Sequence, residues 1–232
     1  MSDRFQRYTY DFSLVAMISF VFLTAFAMFA YPGGTNVDPH AAGYLFAENF
    51  FSDLGRYRTF NGESKLLSLV LFVIALFGAS IAMVLYFVAA PQLYHGRSRF
   101  FATLGSIPGI VSGICFAGVA FTPWDISGGL HGYFVKGAFL SFLGAVYFYA
   151  LAIFKSAHTP NFYGYTFLSY SVILMGYLYL LFFGPSAKTP NGLVIQAVGQ
   201  KIVAYSQILC MVVQIGFARR YLAGGQSPDE MA

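Results

Sequence analysis

The sequence predicts an all-α fold, a polytopic transmembrane bundle of six helices with a short interfacial helix in the first outer loop. Three observations lead there. Of 232 residues, 58% are hydrophobic and only 9% are charged, against about 25% charge in a soluble domain. The apolar residues come in blocks near the ~20 that a helix needs to cross a hydrocarbon core of ~30 Å. The blocks do not alternate apolar and polar residues as barrel strands do, which leaves helices as the way to satisfy backbone groups in lipid. A single domain, residues 1–232, accounts for the chain.

The first predicted span, 13–31, follows Arg4 and Arg7. Its apolar run exceeds the ~7–15 residues of a signal-peptide core, so it reads as a retained helix. The loop from Pro32 to Lys65 then concentrates charge: Glu48, Asp53, Arg56 and Arg58 fall close together. Within it, "GYLFAENFFSDLG" predicts a short helix lying in the interface, apolar side towards the membrane. Gly55 is expected to end it as a left-handed C′ residue. The second span is 66–90. The third, 100–122, spaces Gly105, Gly109, Gly113 and Ala117 four apart, a face along which a second helix approaches closely, inside the bundle or across a homodimer seam. Pro108 in the same span predicts a kink.

The fourth span, 132–154, follows "FTPWD" and His131; the fifth is 165–183 and the sixth 193–217. Lys201 sits about two turns into the sixth, beside Gln196 and a row of Gln200, Gln207 and Gln214 spaced by seven. Cys115 and Cys210 lie mid-block and read as inert packing residues. Arg4, Arg7, Arg97, Arg99, Lys155, Arg219 and Arg220 would share one side. By the positive-inside rule both termini are cytoplasmic, in the cell (inner) membrane.

That topology gathers the unusual polar residues on the outer face. The candidate lipid-headgroup or polar-pocket residues are Glu48, Asn49, Ser52, Asp53, Arg56, Asp125, His131, Lys136, Gln200 and Lys201. Lysine at a helix centre costs about 2.5–3.5 kcal/mol on insertion scales, so Lys201 predicts an anionic partner, with Asp53, Glu48 and Asp125 the acids at hand. Arg56, Lys136 and Lys201 would supply positive charge for a phosphate. Ser52, His131 and Asp53 or Asp125 contain the residue types of a nucleophile, base and orienter, without the G-x-S-x-G elbow that marks one hydrolase class. The absence of H-x-x-x-H or H-E-x-x-H spacing argues against zinc; no metal or other cofactor is expected. No basic run points to nucleic acid.

Two short patterns carry a family resemblance. Ser52, Asp53 and Gly55 form an S-D-x-G segment before the second span. His131 opens the fourth and is followed by Gly137, Ala138, Phe142, Gly144 and Tyr147, with Pro123 and Asp125 in the preceding turn. On these the chain resembles the Frag/DRAM/Sfk-like six-span membrane proteins and a related prokaryotic six-span family of unknown function. "RYRTF" after Gly55 replaces a stretch in which the eukaryotic members tend to carry prolines. The resemblance implies a role in lipid handling or remodelling. The expected partner is therefore a membrane lipid. A non-catalytic accessory subunit of a larger membrane complex, or a homodimer, is the alternative. A small transporter using the glutamine row is a further one, although no internal repeat supports it.

Overall fold

The computed structural model describes residues 3–224. Six long helices account for most of it: α1 (Asp3–Phe29), α3 (Leu66–Ala89), α4 (Gly96–Phe121), α5 (Trp124–Phe154), α6 (Asn161–Phe183) and α7 (Pro190–Ala223). A four-residue helix, α2 (Phe51–Leu54), interrupts the first loop, and a 3-10 turn spans Ala90–Leu93. The chain is 78% helical, with no strand among the described residues. Each long helix contains a stretch apolar enough to cross a bilayer, which makes this an integral membrane protein. Large apolar side chains such as Phe22, Phe29, Ile107 and Phe183 stay exposed on the outside of the bundle, where lipid rather than protein covers them.

The helices pack in a closed ring. α1 contacts α3 and α7, α3 contacts α4, α4 contacts α5, α5 contacts α6, and α6 contacts α7. The even number of crossings puts both ends of the described chain on one face, the terminal face. The 30–65 loop and the 184–189 turn lie on the other, the loop face.

The elements differ from expectation at several places, the first being α1, which starts at Asp3 rather than 13. α5 starts at Trp124 rather than 132, because Pro123 enters the helix with extended backbone and the chain bends once, at Ser127 (φ −130°, ψ 37°). His131 therefore lies one turn beyond a bend inside the helix. The helix expected across "GYLFAENFFSDLG" contracts to Phe51–Leu54, preceded by turns. Gly55 has φ −88° and is not left-handed. Its requirement is space: a Cβ there would lie 2.6 Å from the Phe72 ring.

The glycine face of α4 is covered by this chain's own helices. A Cβ at Gly105 would sit 2.8 Å from the Tyr149 ring of α5. At Gly109 it would sit 2.4 Å from the Phe87 ring of α3, and at Gly113 it would sit 2.7 Å from Val84. Helices approach this closely only where one of them lacks a side chain. α4 runs through Pro108 as one helix.

Candidate functional site

The loop before α3 folds back into the mouth of the ring, and Asn49 is its knot. Asn49 is fully buried. Its Oδ1 accepts from the Leu45 N–H (2.9 Å), and its Nδ2 donates to the Gly34 carbonyl (2.8 Å) and to Asp53 Oδ2 (3.3 Å). Its own carbonyl accepts from the Tyr44 hydroxyl and from Lys201 Nζ. A buried amide must find such partners or cost stability. Asn49 finds them all within the protein, so it holds the loop rather than a ligand.

Asp53 is also buried. Its Oδ2 accepts from the Phe50 N–H at 2.8 Å, so it satisfies an otherwise orphan donor at the start of α2. Burial raises its carboxyl above the usual range. The Phe50 and Asn49 hydrogen bonds, then the Arg56 and Lys201 charges, partly offset this.

Lys201 departs from expectation. The sole ion pair among the described residues joins Arg219 to Asp11 at the terminal face; Lys201 pairs with no carboxylate. Its ammonium donates to the carbonyls of Asn49 and Ala197. It also lies 5.4 Å from the Tyr44 ring centroid, 5.0 Å from that of Phe46 and 5.7 Å from that of Phe51. Carbonyl dipoles and ring faces take the place of the expected anion. Lys65, which sequence reasoning passed over as a loop residue, is buried in the same manner. It donates to the Leu54 carbonyl at 2.6 Å, at the C-terminal end of α2, and sits over Tyr31. Burial pulls its pKa down to about 7, against the opposing pull of the Asp53 and Asp125 charges.

Asp125 is an exposed clamp. Its two carboxylate oxygens accept from the Tyr57 and Arg58 N–H groups at 3.0 and 2.9 Å, fixing the loop to the start of α5. Arg56 donates to the Arg58 carbonyl and stacks 4.0 Å from the Phe60 ring centroid. Glu48 is half-buried and lines neither of the cavities described next.

What this folding leaves open is a chamber of about 370 Å³ on the loop face, within the usual range for ligand sites of ~300–1,000 Å³. Of the predicted site residues, Ser52, Asp53, His131, Lys136 and Gln200 line it; Glu48, Asn49, Arg56, Asp125 and Lys201 do not. Asn36, Trp124, Tyr177 and Gln196 are among the other residues of its wall. Gln196 carried the signal that would have found it, an amide at a membrane-span entrance. Asn36 carried none, because its position depends on a hydrogen bond to the Ala187 carbonyl across 151 residues of chain. Below the chamber lies a narrower apolar cavity of about 80 Å³, bounded by Phe20, Phe72, Leu76, Met83 and Phe116 among others. The two share Ser52, His131, Val135 and Gln200 in their walls.

Two of these shared residues are held in defined orientations. Nδ1 of His131 lies 2.6 Å from the Thr122 carbonyl. A carbonyl only accepts, so Nδ1 carries the proton and Nε2 of the neutral ring is a bare lone pair. Trp124 meets the ring edge-on at 5.7 Å. Gln200 Oε1 accepts from the Phe51 N–H at 2.8 Å, which leaves its amide NH₂ as the donor. The acids expected to orient His131 are occupied elsewhere, Asp53 with Phe50 and Asn49, Asp125 with the loop backbone.

No family model matches this chain, and neither a curated protein nor a solved structure matches it. The likeness to the Frag/DRAM/Sfk-like proteins therefore rests on the short motifs alone.

Proposed function

We propose that the loop-face chamber binds the headgroup of a membrane lipid, and that the protein acts in lipid handling or remodelling. The observation that carries this reading is the pairing of a polar chamber with an apolar cavity that shares its wall. That is the shape of an amphipathic ligand: a headgroup among Lys136, Asp53, Gln196 and Gln200, and the start of an acyl chain among Phe20, Phe72 and Met83. Lys136, half-buried in the chamber wall and 5.5 Å from the Phe182 ring centroid, is the cation placed to meet a phosphate. The motif resemblance points the same way. The glutamine row favours structure over transport: Gln207 accepts from the Tyr170 hydroxyl at 3.0 Å, and Gln214 donates to the Tyr163 carbonyl at 2.9 Å.

Native mass spectrometry of protein extracted with its surrounding lipid tests the reading. A phosphate-bearing lipid should remain bound after detergent stripping. Lys136→Glu should lower the bound fraction at least about tenfold, which is ~1.4 kcal/mol, because an attraction on the scale of ~4 kcal/mol for unit charges ~4 Å apart near a protein surface becomes a repulsion. Equal retention by the variant would remove the assignment.

A further inference from the structure

The wall shared by the two cavities holds Ser52, His131 and Gln200, of which the headgroup reading uses only Gln200. Ser52 Oγ has no hydrogen-bond partner among the described residues, and Ser52 lines both cavities. His131, buried and facing both, presents the bare Nε2 that its bond to Thr122 dictates. Gln200 presents amide hydrogens, one of them engaged with the Tyr177 oxygen. In a glycerolipid the ester groups sit between headgroup and acyl chain. A lipid seated as above brings an ester carbonyl to this wall.

We infer that Ser52, His131 and Gln200 form an acyl-transfer site acting on a lipid ester. The inference rests on the headgroup reading for its substrate class. Ser52 Oγ attacks the carbonyl carbon as its proton passes to His131 Nε2. The carbonyl electron pair moves onto oxygen, where the free Gln200 N–H donates to it. Collapse of that intermediate breaks the bond to the glycerol oxygen, which leaves with the proton from His131. The acyl group now esterifies Ser52. Water, or the hydroxyl of a second lipid, attacks the acyl-Ser52 ester by the same proton path and restores the free serine. The Thr122 carbonyl takes the orienting role that a carboxylate holds in the familiar triads. Ser52 and His131 are not hydrogen-bonded to each other in this structure, a contact that commonly tightens only around substrate.

The test uses the full chain in nanodiscs of phosphatidylethanolamine and phosphatidylglycerol, treated with a fluorophosphonate probe and read by intact mass and peptide mapping. One adduct at Ser52 is expected. It should be absent in Ser52→Ala and at least about a hundredfold slower to form in His131→Gln, the low end of what a general base contributes. Ser52→Cys guards against a variant that merely misfolds: it should lose the fluorophosphonate adduct and gain rapid iodoacetamide alkylation that depends on His131. Labelling elsewhere, labelling that survives Ser52→Ala, or no labelling at all overturns the inference. If lipid is retained in native mass spectrometry while Ser52 stays unreactive, the acyl-transfer site falls and the headgroup reading stands. If Ser52 reacts but no lipid is retained, the reactive serine stands and the headgroup reading falls.

Discussion

The two halves of the bundle solve the same packing problem in opposite ways. Towards the terminal face the space between helices is filled with aromatic volume. Tyr86, Phe87, Phe142 and Tyr149 are all buried, with ring centroids 5.2–6.3 Å apart. The glycines of α4 let α3 and α5 close upon them. Hydroxyls buried among these rings turn to one another or stay unpaired: the Ser106 hydroxyl lies 2.7 Å from that of Tyr149, and the Tyr10 hydroxyl has no partner among the described residues. Towards the loop face the ring is plugged instead by a folded-back segment. Side chains from α7 and the loop hold it by its main chain: Lys201 on the Asn49 carbonyl, Lys65 on the Leu54 carbonyl and Gln200 on the Phe51 N–H. Among those rings the first solution brings side chains into direct contact, and the second leaves a chamber. The difference teaches that rigidity and access are divided lengthwise along the helices, so substitutions in the two halves should fail in different ways.

The largest effect is expected in the aromatic half. Gly109→Leu drives a side chain into the Phe87 ring, itself fully buried. Overpacking of this kind costs about 1–3 kcal/mol and sometimes more. Folded yield and thermal midpoint should both drop sharply, and normal values would undo the claim that this half is close-packed. A smaller, local effect is expected from Lys201→Met. The Asn49 carbonyl keeps the Tyr44 hydroxyl but loses its charged donor. A loss of about 1–3 kcal/mol is the usual scale for a bond to a charged group. Hydrogen exchange should quicken across residues 44–55 with the helices unchanged. Global unfolding instead would erase the contrast between the halves.

The smallest effect is a pH dependence confined to the loop. Lys65 titrates near 7 in the docked loop and near ~10.4 when free. Between those values the undocked segment binds a proton that the docked one does not, so docking should strengthen as pH rises from about 7 towards about 10. Below pH 7 this contribution should be flat. Exchange protection at residues 54–65, corrected for intrinsic rate, reads the slope. Lys65→Met should abolish it, and the same slope in that variant would assign the effect to another group.

Hydropathy is a local property, and so the six spans and the short interfacial helix were legible from residue order alone. The gathering of polar residues on one face was equally legible, because a loop's side follows from counting crossings. Which of those residues meet in a cavity was not. Ser52, Asp53, His131, Lys136 and Gln200 face the chamber, while Asn49 and Asp125 spend their polar atoms on the loop's own backbone. The same residue types serve both ends, and only the rotation of each helix and the path of the returning loop distinguish them. Lys201 shows this most plainly. Its charge implied a carboxylate, since sequence can count acids. Two backbone carbonyls and three ring faces, which have no sequence signature, took that place. Residue chemistry thus determined that this chain lies in a membrane and that Lys136 and Lys201, the lysines within its spans, sit near one end. Ring closure of the helices, a consequence of packing between distant segments, decided that this end holds a chamber and which side chains it presents.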